Sequence, residues 1–139
     1  MSPMYDRILV ATDGSEGANA AVRQAIELAE AVDATVDVLF VVDATVTDRS
    51  HVELLEDRGE TITNDWVVEA TKRGVAATAA VRTGLIHEEI VEHATDNAVD
   101  LVVVGTSGRG GIERRLLGSV ADRVVRTSPV PVMTVPPEG

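Results

Sequence analysis

The sequence predicts an α/β fold, a parallel sheet with helices on both faces, and three observations predict it. Short apolar runs alternate along the chain with longer segments whose apolar residues recur at helical spacing. The strongest runs, Val38–Val42 and Leu101–Val104, are continuous rather than alternating, the pattern of strands buried on both faces. A glycine-rich segment then joins the second of these runs to a helix, with Gly105, Gly108, Gly110, Gly111 and Gly118 in it.

Arg7–Thr12 (RILVAT) is the first strand, and Asp13-Gly14-Ser15 ends it. Ser15 or Asp13 caps the helix that follows, whose inner face carries Ala18, Ala21, Val22, Ala25, Ala29 and Val32. Thr35–Val42 is the second strand, and residues 43–51 are a polar connection. A long acidic helix spans about 52–73, with Gly59 as a candidate interruption. Val75–Val81, built of small residues, has the character of an edge strand. Gly84 turns the chain into a helix over about 86–98, with Ile86, Ile90, Val91, Ala94 and Ala98 inward. After the fourth strand and the glycine segment, Val120, Ala121, Val124 and Val125 set a helix beginning near Ser119. Pro129 and Pro131 close it, Val130–Val135 is the last strand, and residues 136–139 are a tail. No linker or repeat divides the chain, and 139 residues make a single domain large enough for a core. With 45% hydrophobic residues but 2% aromatic, that core is built from Val, Leu, Ile and Ala.

The glycine segment has the physical character of an anion site. Glycines let backbone N–H groups approach a ligand closely, and a helix start adds unpaired N–H groups at the positive end of its dipole. Five arginines (109, 114, 115, 123 and 126) stand against Glu113 and Asp122 between residues 105 and 128, in a chain whose net charge is −11. Ser119-x-x-Asp122 is also a capping-box pattern, which explains a helix start without any ligand. The coincidence of glycines, helix start and arginines favours the ligand.

The spacing Gly105-x2-Gly108-x9-Gly118-Ser119 resembles the G-x2-G-x9-G-[S/T] signature of the ATP-binding universal stress proteins. The likeness runs on through LLGSVADRVVRTSPVPVMTV, returns to ILVATDGSE at the start, and covers the whole chain. It implies five strands ordered 3-2-1-4-5, a Rossmann-like sheet in which strands 1 and 4 meet at the switch point where ligands bind. It implies that Thr12 and Asp13 receive the nucleoside, with Asp13 accepting from ribose or adenine. Val41 and Val42 then flank the adenine, while Gly105, Gly108, Gly118, Ser119 and Val120 cradle the triphosphate and Arg109 neutralises its charge. The implied ligand is ATP with Mg²⁺ bridging its phosphates, and the implied assembly is a homodimer through Val130–Val135.

Several function classes are excluded or disfavoured by residues alone. A P-loop needs a lysine after glycine, and the chain's one lysine, Lys72, follows Thr71. A response-regulator receiver needs an aspartate at the end of strand 3 and a lysine at the end of strand 5; neither is present. A dinucleotide oxidoreductase needs GxGxxG directly after strand 1, where only Gly14-x-x-Gly17 stands. Net negative charge and three aromatics argue against nucleic acid, and no run approaches membrane-spanning length. With no cysteine there is no thiolate chemistry or disulfide. His51, His87 and His93 are read as surface residues, and no metal site is expected from them. The expectation is a cytoplasmic regulatory module that binds ATP, with slow ATP hydrolysis or phosphoryl transfer as the alternative. Twenty-three acids against one lysine further suggest a protein adapted to high salt.

Overall fold

The structure, a computed structural model, describes residues 5–106 and 117–138. Its elements are β1 (Arg7–Ala11), α1 (Glu16–Val32), β2 (Thr35–Asp43), α2 (Arg49–Lys72), β3 (Ala77–Gly84), α3 (Ile86–Asp96), β4 (Leu101–Gly105), α4 (Ser119–Thr127) and β5 (Val132–Val135). All neighbouring strands are parallel and the order is β3-β2-β1-β4-β5, as the resemblance implies.

Strand alternation divides the core into two layers. Ile8, Val10, Val36, Val38, Leu101 and Val103 face α1 and α2. Leu9, Leu39, Val102 and Val104 face α3 and α4, packing on Ile90, Ala94, Ala121 and Val124. Each such side chain taken fully from water contributes roughly 1.5–3 kcal/mol, so β1, with Ile8, Leu9 and Val10 at 0% exposure, is a firmly anchored central strand. It is also the one that carries Thr12 and Asp13 at its end.

Several boundaries and faces differ from the sequence reading, β3 among them, which runs Ala77–Gly84 and not Val75–Val81. α2 begins at Arg49, inside the stretch read as a polar connection, because the Asp48 carboxylate caps it by accepting from the His51 N–H at 3.2 Å. Gly59 does not interrupt this helix. It is buried, and a Cβ there would lie 2.6 Å from Phe40 Cδ1, so the glycine lets α2 come down onto β2. α3 ends at Asp96, and Ala98 leaves the helix at φ 51°, exposed instead of inward. β5 starts at Val132, since Pro131 has no N–H to give the ladder; its carbonyl still accepts from the Val102 N–H at 3.0 Å.

His93 overturns the surface reading. At 7% exposure it shares the inner face of α3 with Ile86, Ile90 and Ala94, at the offsets expected for one helical stripe. Its Nε2 lies 3.3 Å from Oδ2 of Asp37, itself 1% exposed and the third residue of β2. Arg7 of β1 grips the same carboxylate with two contacts, Nε to Oδ2 at 3.0 Å and Nη2 to Oδ1 at 2.8 Å. The Thr78 hydroxyl of β3 donates to Oδ1 at 2.8 Å. One buried carboxylate thus ties three strands and a helix together, near the amino ends of the strands.

Candidate functional site

At the opposite, carboxyl end of the parallel strands, β1 and β4 mark the point where the strand order reverses, from β1-β2-β3 on one side to β4-β5 on the other. Val10 pairs with Val103, so Thr12 and Gly105, two residues further on, leave the sheet at the same level. β2 lies on one side of this pair and β5 on the other, and the connections to α1 and α4 depart to opposite faces. Such a parting leaves a crevice beyond the carboxyl ends of the strands.

The β1 side is a tight, internally bonded turn. The Thr12 N–H extends the β1–β2 ladder by donating to the Leu39 carbonyl at 2.9 Å, and Thr12 is buried. Its hydroxyl oxygen accepts from the Gly14 N–H at 3.1 Å, while Asp13 Oδ1 accepts from the Ser15 N–H at 2.9 Å. Gly14 sits at φ 83°, the left-handed region where a side chain is strained. Ser15, not Asp13, is the cap of α1, its hydroxyl accepting from the Ala18 N–H at 3.2 Å. Asp13 is therefore fixed one turn ahead of the helix.

Val41 and Val42, just before the end of β2 at Asp43, face opposite sides of the sheet. Val41, half-buried, belongs to the α3/α4 layer; Val42, 1% exposed, points the other way, so only its backbone is presented at the strand end.

On the β4 side, Gly105 is pressed against α1. A Cβ on it would sit 2.8 Å from the Gly17 carbonyl oxygen and 3.1 Å from the carbonyl carbon, so the residue must be glycine for backbone to pass backbone. Thr106 follows, its N–H donating to the Val135 carbonyl at 2.9 Å and its own carbonyl accepting from the Gly118 N–H at 2.6 Å. These two bonds place the start of α4 beside the ends of β4 and β5. Gly108 and Arg109 lie outside the described residues.

α4 opens without a cap. Its N-cap is Gly118, which has no side chain, and Ser119 is the first helical residue, so the Ser119-x-x-Asp122 box does not form. The Asp122 carboxylate turns along the helix instead, taking both bonds from Arg126 Nε, at 3.0 and 3.1 Å. Gly118 is buried, Ser119 exposed and Val120 half-buried. A helix N-terminus left in this state attracts an anion. Beside it is Thr106, 8% exposed, whose Oγ1 is buried with no hydrogen-bond partner. Thr106 was not a position the sequence motif singled out, and only its place between two glycines of the segment hinted at it.

A separate cavity of about 410 Å³ opens between α1 and α2 on the far side of Gly14, lined by Asn19, Arg58, Trp66 and the carboxylates of Asp65 and Glu69. Two carboxylates make it unsuited to a polyphosphate, and it takes in none of the other candidate residues. Among the described residues no three His, Asp or Glu side chains converge on a common metal position, and no helix is long and apolar enough to cross a membrane.

Comparison with known proteins bears on the family and the fold. A universal stress protein of Methanocaldococcus jannaschii is 36% identical over 140 residues, spanning 95% of this chain and 82% of the relative. The universal stress protein UspA of Lactobacillus plantarum superposes with a TM-score of 0.87 over 94% of this chain and 97% of that one, at 22% identity, a likeness of fold. A universal stress protein solved in complex with cAMP superposes with a TM-score of 0.76 at 28% identity, over 99% of this chain and 100% of that one. The model of the universal stress protein family matches residues 4–136, and with that match the chain belongs to this family.

Proposed function

We propose that this protein binds ATP in the crevice between β1 and β4 and acts as a nucleotide-dependent regulatory module. The observation that carries the proposal is the N-terminus of α4, which has no side-chain cap among the described residues and is set by Gly118 beside the carboxyl ends of β4 and β5. Its N–H groups and dipole suit the phosphates. In this reading Gly105, Gly108, Gly118, Ser119 and Val120 form the phosphate cradle, and Arg109 offsets charge. Thr12 and Asp13 receive the ribose, and Val41 with the backbone of Val42 borders the adenine. The cAMP held by a relative 28% identical to this chain supports an adenine nucleotide. Mg²⁺ would arrive on the phosphates, since a bare triphosphate is repelled by a chain of net charge −11.

Binding is favoured over catalysis because the acid at the crevice, Asp13, already accepts from the Ser15 N–H, which fits a positioning role better than that of a base. The same reading places a homodimer at β5. That strand is the sheet edge, its Val132, Met133 and Val135 are half-buried, and Val125 of the adjoining α4 is 46% exposed.

Calorimetry with ATP and Mg²⁺ tests the proposal. Wild type binds, and Gly118→Leu, which obstructs the backbone approach, does not, with the fold retained by circular dichroism. Equal affinity in the two proteins places the nucleotide elsewhere. Steady ATP turnover by wild type, abolished in Gly118→Leu, replaces the regulatory reading with the hydrolytic one.

A further inference from the structure

We propose that the Thr106 hydroxyl is a phosphate-contacting group of the nucleotide site, a donor that waits for its acceptor; the inference rests on the nucleotide reading above. Oγ1 of Thr106 is buried and has no hydrogen-bond partner, a rare condition for a hydroxyl withheld from water. The residue is firmly placed. Its N–H is bonded to the Val135 carbonyl at 2.9 Å and its carbonyl to the Gly118 N–H at 2.6 Å, so the backbone is held from both sides.

Alternation along β4 gives the side chain its direction. Val102 and Val104 face the layer of Ala121 and Val124, and Thr106 continues that series toward the first turn of α4. Valine has the same shape and would fill the position without an unmet donor, so the hydroxyl is the group that needs a reason. The neighbouring groups are donors too: α4 has no side-chain cap at Gly118, and the nearest carboxylate on the helix, Asp122, is turned to Arg126. Among the described residues these donors meet no acceptor, which fits an oxygen that carries negative charge, and within a nucleotide that oxygen belongs to phosphate.

The test compares wild type, Thr106→Val and Thr106→Ser by calorimetry with ATP, inorganic tripolyphosphate and adenosine, and by thermal unfolding without ligand. Thr106→Val should lower affinity for ATP and tripolyphosphate by the same factor, about ten- to a hundredfold. Adenosine binding should be unchanged, and the ligand-free melting temperature should hold or rise. Thr106→Ser, which keeps the donor, should bind close to wild type. If wild type binds neither ATP nor tripolyphosphate, the nucleotide reading itself fails. If wild type binds and Thr106→Val binds equally, only the present inference falls. It falls as well if Thr106→Val melts well below wild type or fails to fold while Thr106→Ser does not, because the hydroxyl then has a structural partner. A loss for adenosine matching the loss for ATP assigns Thr106 to packing and overturns it too.

Discussion

Asp37 Oδ2 and His93 Nε2 stand 3.3 Å apart with 1% and 9% of their side chains exposed, so a polar contact inside the core joins α3 to the amino-terminal part of β2. An ionised carboxylate only accepts, which puts the proton of the imidazole on Nε2. Burial by itself pushes the Asp37 carboxyl up, but hydrogen bonds from His93, Arg7 and Thr78 outweigh it and hold the group below the ordinary carboxylate range. Arg7 is raised in return, chiefly by its bond to Asp37.

Acid sensitivity follows from the sign of that shift. A carboxyl with a lowered folded-state pKa stabilises fully above its unfolded value, about 3.9, and loses that contribution as pH falls through the folded value. Denaturant unfolding of wild type should therefore steepen below about pH 4, and Asp37→Asn should show a shallower acid limb. At pH 7 the variant should be less stable by about 3 kcal/mol, the lower end for breaking a buried pair, because the Arg7 side chain is 36% exposed and recovers some solvation. Parallel acid limbs in the two proteins would assign the sensitivity to other carboxyls.

Gly59→Ala sets two effects of opposite sign against each other. Helix propensity favours alanine by about 1 kcal/mol. The added methyl, however, would meet Phe40 Cδ1 at 2.6 Å and Cγ at 2.9 Å, and Phe40 is 5% exposed, with no room to retreat. Overpacking of this kind costs about 1–3 kcal/mol, so the variant should melt lower than wild type. A higher melting temperature would show that α2 lifts from β2 at little cost.

Asp13→Ala should separate the two ends of the ligand. Loss of a ribose acceptor weakens ATP by about 1–3 kcal/mol and leaves inorganic tripolyphosphate almost unchanged. Equal losses for both, measured by calorimetry, would mean that Asp13 acts through its bond to the Ser15 N–H, by shaping the entry to α1.

The proposed dimer is tested at Thr134. The carbonyls of Pro131 and Val135 accept from Val102 and Thr106 of the β4 segment, so the odd-numbered residues of β5 face inward in the ladder. Thr134 therefore directs its N–H to the open edge, and Thr134→Pro removes an outward donor while leaving the β4 ladder intact. Light scattering should show a dimer for wild type at micromolar concentration and a monomer for the variant. A monomeric wild type would end the proposal.

What was legible in the sequence was what one segment decides alone. Val38–Val42 and Leu101–Val104 announced buried strands because continuous apolar runs have no other cheap arrangement. The misreadings arose where the answer belongs to a distant partner. Gly59 is weak by propensity and necessary only because Phe40 lies under it. His93 reads as a surface group in the sequence because its buried acceptor, Asp37, is a lone charge within TVDVLFVV whose partners come from three other elements. Gly105 stood out through the motif, yet the constraint visible on it is the Gly17 carbonyl of α1, a contact that no spacing rule contains.

The two helices on one face of the sheet are held very unequally. α1 buries eight of its 17 residues, whereas α2 buries only Gly59, Thr63 and Ala70 among 24. Local opening draws on the segments with the least buried apolar surface, so amide hydrogens along the outer turns of α2 should exchange long before those of α1 or β1. The turn at the end of β1 meets both helices, since Gly14 lies against Ile62 and Arg58 of α2, so early opening of α2 would loosen one wall of that turn while α1 holds the other.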